Sequence, residues 1–195
     1  MKMIIATNNA HKLVEFQRIL SPMGYDVVSQ NEVCPGIEVE EDGTTFAENA
    51  YKKAFEIFTR TGLPTVADDS GLCVDALHGE PGVYSARYAG EPHSDKACND
   101  KLLRNMQGIP DSERTARFVS AICCILAKDD VIACEGTCEG MIGYEPKGMG
   151  GFGYDPLFMV GEKSFAELTG EEKDAISHRG VALRILEKEI KVRRG

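Results

Sequence analysis

The chain opens on an apolar run, Met3-Ile4-Ile5-Ala6, held between Lys2 and Thr7, which reads as a buried strand. From about His11 to Leu20 the period changes: Leu13, Phe16 and Leu20 fall on one helical face, with Ile19 beside them. Tyr25 to Ser29 predicts a second short strand, and Glu38 to Gly43 an acidic loop. Thr45-Phe46-Ala47-Glu48 fits a capping box, in which Thr45 and Glu48 satisfy each other's exposed amides. The helix it opens is expected to reach about Thr59 with Phe46, Ala50, Ala54, Ile57 and Phe58 inward, stopped by Gly62 and Pro64. Two apolar runs, Leu63 to Ala67 and Leu72 to Val74, flank Asp68-Asp69-Ser70-Gly71 and predict strand, turn and strand, since all four central residues favour turns.

In the second half, Gly79-Glu80-Pro81-Gly82 is a turn-rich connection, and Ser94 is placed to cap a helix ending near Met106. Arg114 to Ala127 and Val131 to Ile142 predict two long strands joined through Lys128-Asp129-Asp130 as an antiparallel hairpin. A glycine-aromatic loop follows from Gly148 to Pro156, then a short strand from Leu157 to Val160. A turn or short helix near residues 165–175 and a helix from about His178 to Val192 close the chain. Early alternation of strands and helices with a later antiparallel pair predicts one α/β domain over residues 1–195, built on a mixed sheet.

The 195 residues suffice for one buried core. A net charge of −9 argues against a nucleic-acid polymer as partner, because such binders carry a basic patch. A small phosphorylated ligand stays open, provided a cation and a few lysines or arginines invert the local field. No apolar stretch approaches a membrane span, and the first residues lack a signal-peptide layout. The seven cysteines are odd in number and form no paired Cys-x-x-Cys knuckles, so the expectation is free thiols in a reducing cytoplasm.

Four segments carry candidate chemistry. Adjacent carboxylates at Asp68 and Asp69 suit a hard cation such as Mg²⁺, against the plainer reading of an ordinary polar turn. One or two of Glu38, Glu40, Glu41 and Asp42 can complete such a site, although a charge run is usually a solvated face. Thr7-Asn8-Asn9-Ala10-His11-Lys12 joins a strand to a helix N-terminus, whose free amides bind anions; Lys12 adds a full positive charge. The competing reading is a plain turn with asparagine caps. Lys53 lies about two helical turns after Thr45, and from the sequence alone it belongs on exposed surface. Gly148-Met149-Gly150-Gly151-Phe152-Gly153 formally matches a dinucleotide fingerprint, but Tyr154-Asp155-Pro156 follows where a helix must begin, so the match is rejected. What remains is a backbone open to close approach, with Phe152 and Tyr154 offering aromatic faces and Asp155 an acceptor to a purine. His178 and Arg179 can donate to a carbonyl, or stand in solvent behind Ser177 as a cap.

Six motifs in this order resemble the inosine/xanthosine triphosphate pyrophosphatase family: Ala6 to Lys12, Glu40 to Ala50, Ala67 to Leu72, Gly82 to Tyr88, Gly150 to Pro156 and Ala175 to Gly180. The resemblance spans Ile4 to about Leu186. It implies an elongated α/β fold with a mixed sheet flanked by helices, two lobes and a central cleft. It also implies Mg²⁺ dependence, a homodimer, and hydrolysis of ITP, dITP and XTP to monophosphate and pyrophosphate. Carried onto this chain, Thr7, Asn8, Asn9, Ala10, His11, Lys12 and Lys53 hold the triphosphate and Ser70 touches substrate. Glu40 and Asp69 hold metal, with Asp69 as general base, assisted by Lys12 and Asp68. Phe152, Gly153, Tyr154, Asp155, Lys173, His178 and Arg179 form the nucleoside pocket. The preference for Asp69 over Asp68 as base, and for Glu40 over Glu41 as ligand, comes from the resemblance alone. A pyrophosphatase of other base preference and a silent nucleotide sensor are the alternatives.

Overall fold

The apolar runs read above become seven strands of one mixed sheet in the computed structural model, which describes residues 2–194. The first half supplies β1 (Lys2–Ile5), α1 (Ala10–Leu20), β2 (Asp26–Ser29), α2 (Gln30–Val33), α3 (Phe46–Thr61) and β3 (Thr65–Val74). The second supplies α4 (Asp95–Asn105), β4 (Thr115–Ala127), β5 (Asp130–Ile142), β6 (Phe158–Val160), β7 (Lys163–Ser164), α5 (Gly170–Ile176) and α6 (His178–Arg194). Strand order is β2-β1-β3-β4-β5-β6-β7. β1 runs parallel to both β2 and β3, whereas β6 is antiparallel to β5 and β7. Only Lys128 and Asp129 join β4 to its neighbour β5, a connection too short for anything but the predicted antiparallel hairpin. The expected mixed α/β sheet is therefore present.

Two compact units divide the chain. One comprises the chain to Asp69, Ser120–Gly136 and the chain from Arg179; the other comprises Ser70–Val119 and Thr137–His178.

In the first unit, the two-residue period of the strands sorts side chains between two cores. Met3, Ile5, Val66, Ile122 and Cys124 pack with Phe16 and Leu20 of α1 and with Ala182, Leu183 and Leu186 of α6. Their neighbours Ile4, Ala6, Ala67, Cys123 and Ile125 pack with Ala50, Ala54 and Ile57 of α3. The α3 capping box forms as read: Glu48 N–H donates to the Thr45 hydroxyl at 3.2 Å, and Thr45 N–H donates to the Glu48 carboxylate at 3.2 Å. Gly62, at φ +64°, ends that helix.

Two local expectations change. Asp68-Asp69-Ser70-Gly71 is not a turn, because β3 runs through it without a break from Thr65 to Val74. Turn preference yields there to pairing inside the sheet and to the cations that meet both acids. The short helix α2 was not anticipated, although Ser29-Gln30-Asn31-Glu32 carries its capping box and both reciprocal bonds form.

The second unit has one core, in which Leu72, Val74, Leu102, Met106, Phe118, Phe158 and Phe165 meet. Phe118 contacts Phe158 at 4.6 Å between ring centroids. Arg114 is buried, and its guanidinium donates to the carbonyls of Met106, Ile142 and Gly143 at 2.9, 2.7 and 2.8 Å. All seven cysteines are free thiols, and burial pushes that of Cys123 up to about 12. Among the described residues no helix is long and apolar enough to cross a membrane.

Candidate active site

Strand alternation that sorts the first core also separates the two acids of β3. Asp68 shares the side of Val66, facing α1 and α6, and Asp69 shares the side of Ala67, facing α3. Lys12 Nζ stands 2.9 Å from Asp68 Oδ2, and Arg179 Nη2 donates to the same oxygen at 3.1 Å. The Ser120 hydroxyl donates to Asp68 Oδ1. Burial opposes ionisation of Asp68, but the charges of Arg179 and Lys12 outweigh it and hold the carboxyl well below the usual carboxylate range.

Asp69 meets different company. Asn49 Nδ2 donates to its Oδ2 at 3.0 Å, and Lys53 Nζ lies 3.6 Å from its Oδ1. Burial raises its pKa; Lys53 and Lys12 pull it down, Glu41 pushes it up, and the net shift is upward. Neighbouring acids whose surroundings drive their affinities for a proton apart are equipped for separate acid–base roles. Asp68 is fixed as an anion among cations, and Asp69 is the better proton acceptor.

Lys53 is buried, not on the exposed surface expected from the sequence. Its ammonium donates to the Asp68 carbonyl at 2.8 Å and to Glu41 at 3.0 Å. Asn49, wholly buried, accepts from Gly43 N–H at 2.8 Å through Oδ1, so its amide is held on both sides. A Cβ at Gly43 would lie 2.6 Å from that oxygen, which explains a glycine there. In the acidic loop Glu40 is exposed, and its neighbour Glu41 is the one joined to Lys53.

The segment from Thr7 to Lys12 forms the expected strand-to-helix turn. Asn9 caps α1, accepting from His11 N–H at 2.9 Å and Lys12 N–H at 3.1 Å, while Thr7 accepts from Asn9 N–H at 3.1 Å. Asn8 accepts from Gln30 Nε2 at 2.7 Å, and Ala10 is the first residue of the helix. Asn8 to His11 are exposed. Lys12 thus supplies the segment's full positive charge, and two of the helix-end amides are already met by Asn9.

Arg179 departs from its expected place. It is 1% exposed, pairs with Glu15 of α1 as well as Asp68, and is the largest fully buried side chain. Its ion pairs with Asp68 and Glu15 place it in the charge cluster around β3, beside the acids, where the sequence reading had put it among the donors to a purine carbonyl.

The second unit gathers another set. Asp155 Oδ2 accepts from Phe152 N–H at 2.9 Å and from Lys173 Nζ at 2.7 Å, and that ammonium lies 4.9 Å from the centre of the Phe152 ring. Gly151 has φ +72°, and a Cβ there would fall 2.1 Å from Asp155 Oδ2, so only glycine closes this loop. The loop leads through turns into β6, in keeping with the rejected dinucleotide match. Gly153 is tied to α4 at both peptide groups: its N–H donates to Asp95 at 2.7 Å and its carbonyl accepts from Asn99 at 2.9 Å. Tyr154 belongs to the core and its hydroxyl donates to the Ser85 carbonyl at 2.8 Å, so the aromatic face assigned to a ligand is taken up by packing. His178 is buried and stacks on Phe118 at 4.7 Å, and Ser70 is half-buried on β3.

Phe152, Asp155 and Lys173 therefore converge, as do Lys12, Lys53, Asp68 and Asp69 in the first unit. Sequence reasoning missed Glu15, Asn49 and Ser120. Asn49 had a signal, falling one residue after the capping-box Glu48 on the inward side of an amphipathic helix; the other two had none.

The Ham1 family model matches residues 3–189. The dITP/XTP pyrophosphatase of Desulforamulus reducens is 54% identical over 186 residues, covering 94% of this chain and 92% of that protein. The dITP/XTP pyrophosphatase of Escherichia coli O157:H7 is 48% identical, covering 95% of each. Among solved structures, the Ham1 protein of Staphylococcus aureus superposes with a TM-score of 0.88 at 39% identity, covering 99% of this chain and 100% of that one. With a family model spanning almost its whole length and relatives at about half identity, this chain belongs to the Ham1 family.

Proposed function

We propose that this protein hydrolyses non-canonical purine nucleoside triphosphates, ITP, dITP and XTP, between the α- and β-phosphates, releasing monophosphate and pyrophosphate. The observation that carries the reading is the separation of Asp68 and Asp69 onto opposite faces of β3, Asp68 held between Lys12 and Arg179 and Asp69 held by Asn49 beside Lys53, with burial raising the pKa of Asp69 while cations lower that of Asp68. Two relatives at 54% and 48% identity bear the name dITP/XTP pyrophosphatase, which supports the substrate class.

Asp69 accepts a proton from the attacking water, a role typically worth about 10²–10⁴ in rate. Asn49 aims its carboxylate, and Lys12 and Lys53 offset phosphate charge. Thr7 to His11 border the phosphates beside Lys12. Glu40 and Asp69 are hard oxygen donors of the kind Mg²⁺ takes, one or two carboxylates with water and phosphate oxygens completing the shell. Among the described residues no three His, Cys, Asp or Glu side chains gather around one point, so these two acids would hold the ion together with the phosphates. When bound there, the cation neutralises phosphate charge and acidifies a coordinated water.

In the second unit Lys173 is the donor for a purine six-carbonyl, with Phe152 as a stacking face and Asp155 orienting the ammonium. An amine at that position, as in adenine, presents hydrogens to a cation and is rejected. Sites built on such bonds discriminate by about 10⁴ or more. The same reading takes residues 1–195 as one working domain, a cytoplasmic protein and a homodimer; light scattering that returns a monomer mass would remove the last.

The test is pyrophosphate release from a panel of nucleoside triphosphates. Preferential turnover of dITP and XTP over dATP, dGTP and dCTP is expected. Equal hydrolysis of dATP, or binding without turnover, would overturn the assignment.

A further inference from the structure

Helix α4 carries no residue assigned to substrate, yet one of its faces holds the base-side loop at two points. Asp95 and Asn99 are one helical turn apart and grip the two sides of a single residue. Gly153 N–H donates to Asp95 Oδ2 at 2.7 Å, and Gly153 C=O accepts from Asn99 Nδ2 at 2.9 Å. Gly153 sits at φ +59°, between Phe152 and Tyr154. Two residues on, Asp155 accepts from Phe152 N–H and from Lys173.

Asn99 shows what this grip costs. The side chain is 8% exposed, and its Oδ1 is buried with no hydrogen-bond partner among the described residues. Beside Cys98 and Leu102, an apolar residue would fill that place without stranding an acceptor. Turning the amide over would set oxygen against the Gly153 carbonyl, so the bond to Gly153 is what the asparagine is there for. Asp95 is held as well, its second oxygen lying 2.9 Å from His93 Nε2.

We propose that Asp95 and Asn99 are positioning residues for base selection: they clamp the peptide groups on both sides of Gly153 and thereby set Phe152 and Asp155, with Lys173, at the spacing that reads the purine. This rests on the functional reading above.

Asn99→Leu and Asp95→Ala each remove one arm, whereas Asp95→Asn keeps an acceptor for Gly153 N–H. For dITP, the first two variants are expected to raise KM about tenfold, equivalent to ~1.4 kcal/mol, with kcat within about twofold of wild type. Their dITP-over-dATP preference falls by a similar factor, and Asp95→Asn stays near wild type. A lowered urea midpoint with KM and base preference unchanged would mean a merely structural role and overturn the clamp. If the wild-type protein fails to turn over dITP, the functional reading is what fails. The clamp is then judged by amide exchange at Gly153, expected about tenfold faster in Asn99→Leu and Asp95→Ala; unchanged exchange overturns it.

Discussion

Replacing Arg179 with leucine tests the charge arrangement at its most exacting point. The guanidinium answers two buried carboxylates, Glu15 and Asp68, whose side chains are 9% and 1% exposed. Removing one partner of a buried ionic cluster costs about 3–5 kcal/mol, because the remaining charge is left uncompensated in a poor solvent. Against a total stability of roughly 5–15 kcal/mol, that is a large fraction. With a urea slope of about 2 kcal/mol/M, the midpoint is expected to fall by roughly 1.5–2.5 M at pH 7. The pH dependence gives the sharper signature. In the wild-type protein the folded Asp68 is more acidic than the unfolded one, so its contribution is complete above about pH 3.9 and is lost as pH falls below that. Without Arg179 the opposing effect of burial gains ground, the folded pKa moves upward, and the penalty grows as pH rises. The deficit between variant and wild type should therefore be smaller at pH 3 than at pH 7. A deficit below about 1 kcal/mol, or one equal at both pH values, would refute the claim that Arg179 is there to answer buried negative charge.

Asp69→Asn preserves size and keeps an oxygen for Asn49, so kcat for dITP should drop about 10³-fold with KM within about threefold; near-normal turnover would remove Asp69 as base. Gly151→Ala forces a methyl group onto Asp155 and a side chain into a left-handed conformation. It should raise KM for dITP about tenfold or more, and unchanged KM would show that the loop geometry is dispensable. EDTA should abolish pyrophosphate release and added Mg²⁺ restore it, while full activity in chelator would refute the divalent-cation assignment.

Much of the fold was written in local pattern. The helical spacing of Leu13, Phe16 and Leu20, the Thr45–Glu48 box and the long apolar pair joined at Lys128-Asp129 each specify an element without help from the rest of the chain. The glycine loop was also legible, since four glycines in six residues carry an entropic cost that a plain turn does not require. What escaped depended on partners distant in sequence. Asp-Asp-Ser-Gly has every local mark of a turn, and only Lys12, Ser120 and Arg179 on one side and Asn49 and Lys53 on the other make it tolerable inside a sheet. Lys53 looked solvent-exposed because a lone lysine on a helix usually is; Glu41 and the Asp68 carbonyl alter that. Arg179 looked like a ligand donor because Glu15, 164 residues earlier, gives no sign that it needs a cation.

Two identical side chains at successive positions have acquired different acidities without any difference in covalent structure, and the pleat is what distinguishes them. It follows that their identities are a matter of phase. Deleting a single residue from the lead into β3 would leave the composition almost untouched and both aspartates present. It would also carry Asp69 to the guanidinium side and turn Asp68 toward the apolar face of α3, where Ala67 now packs.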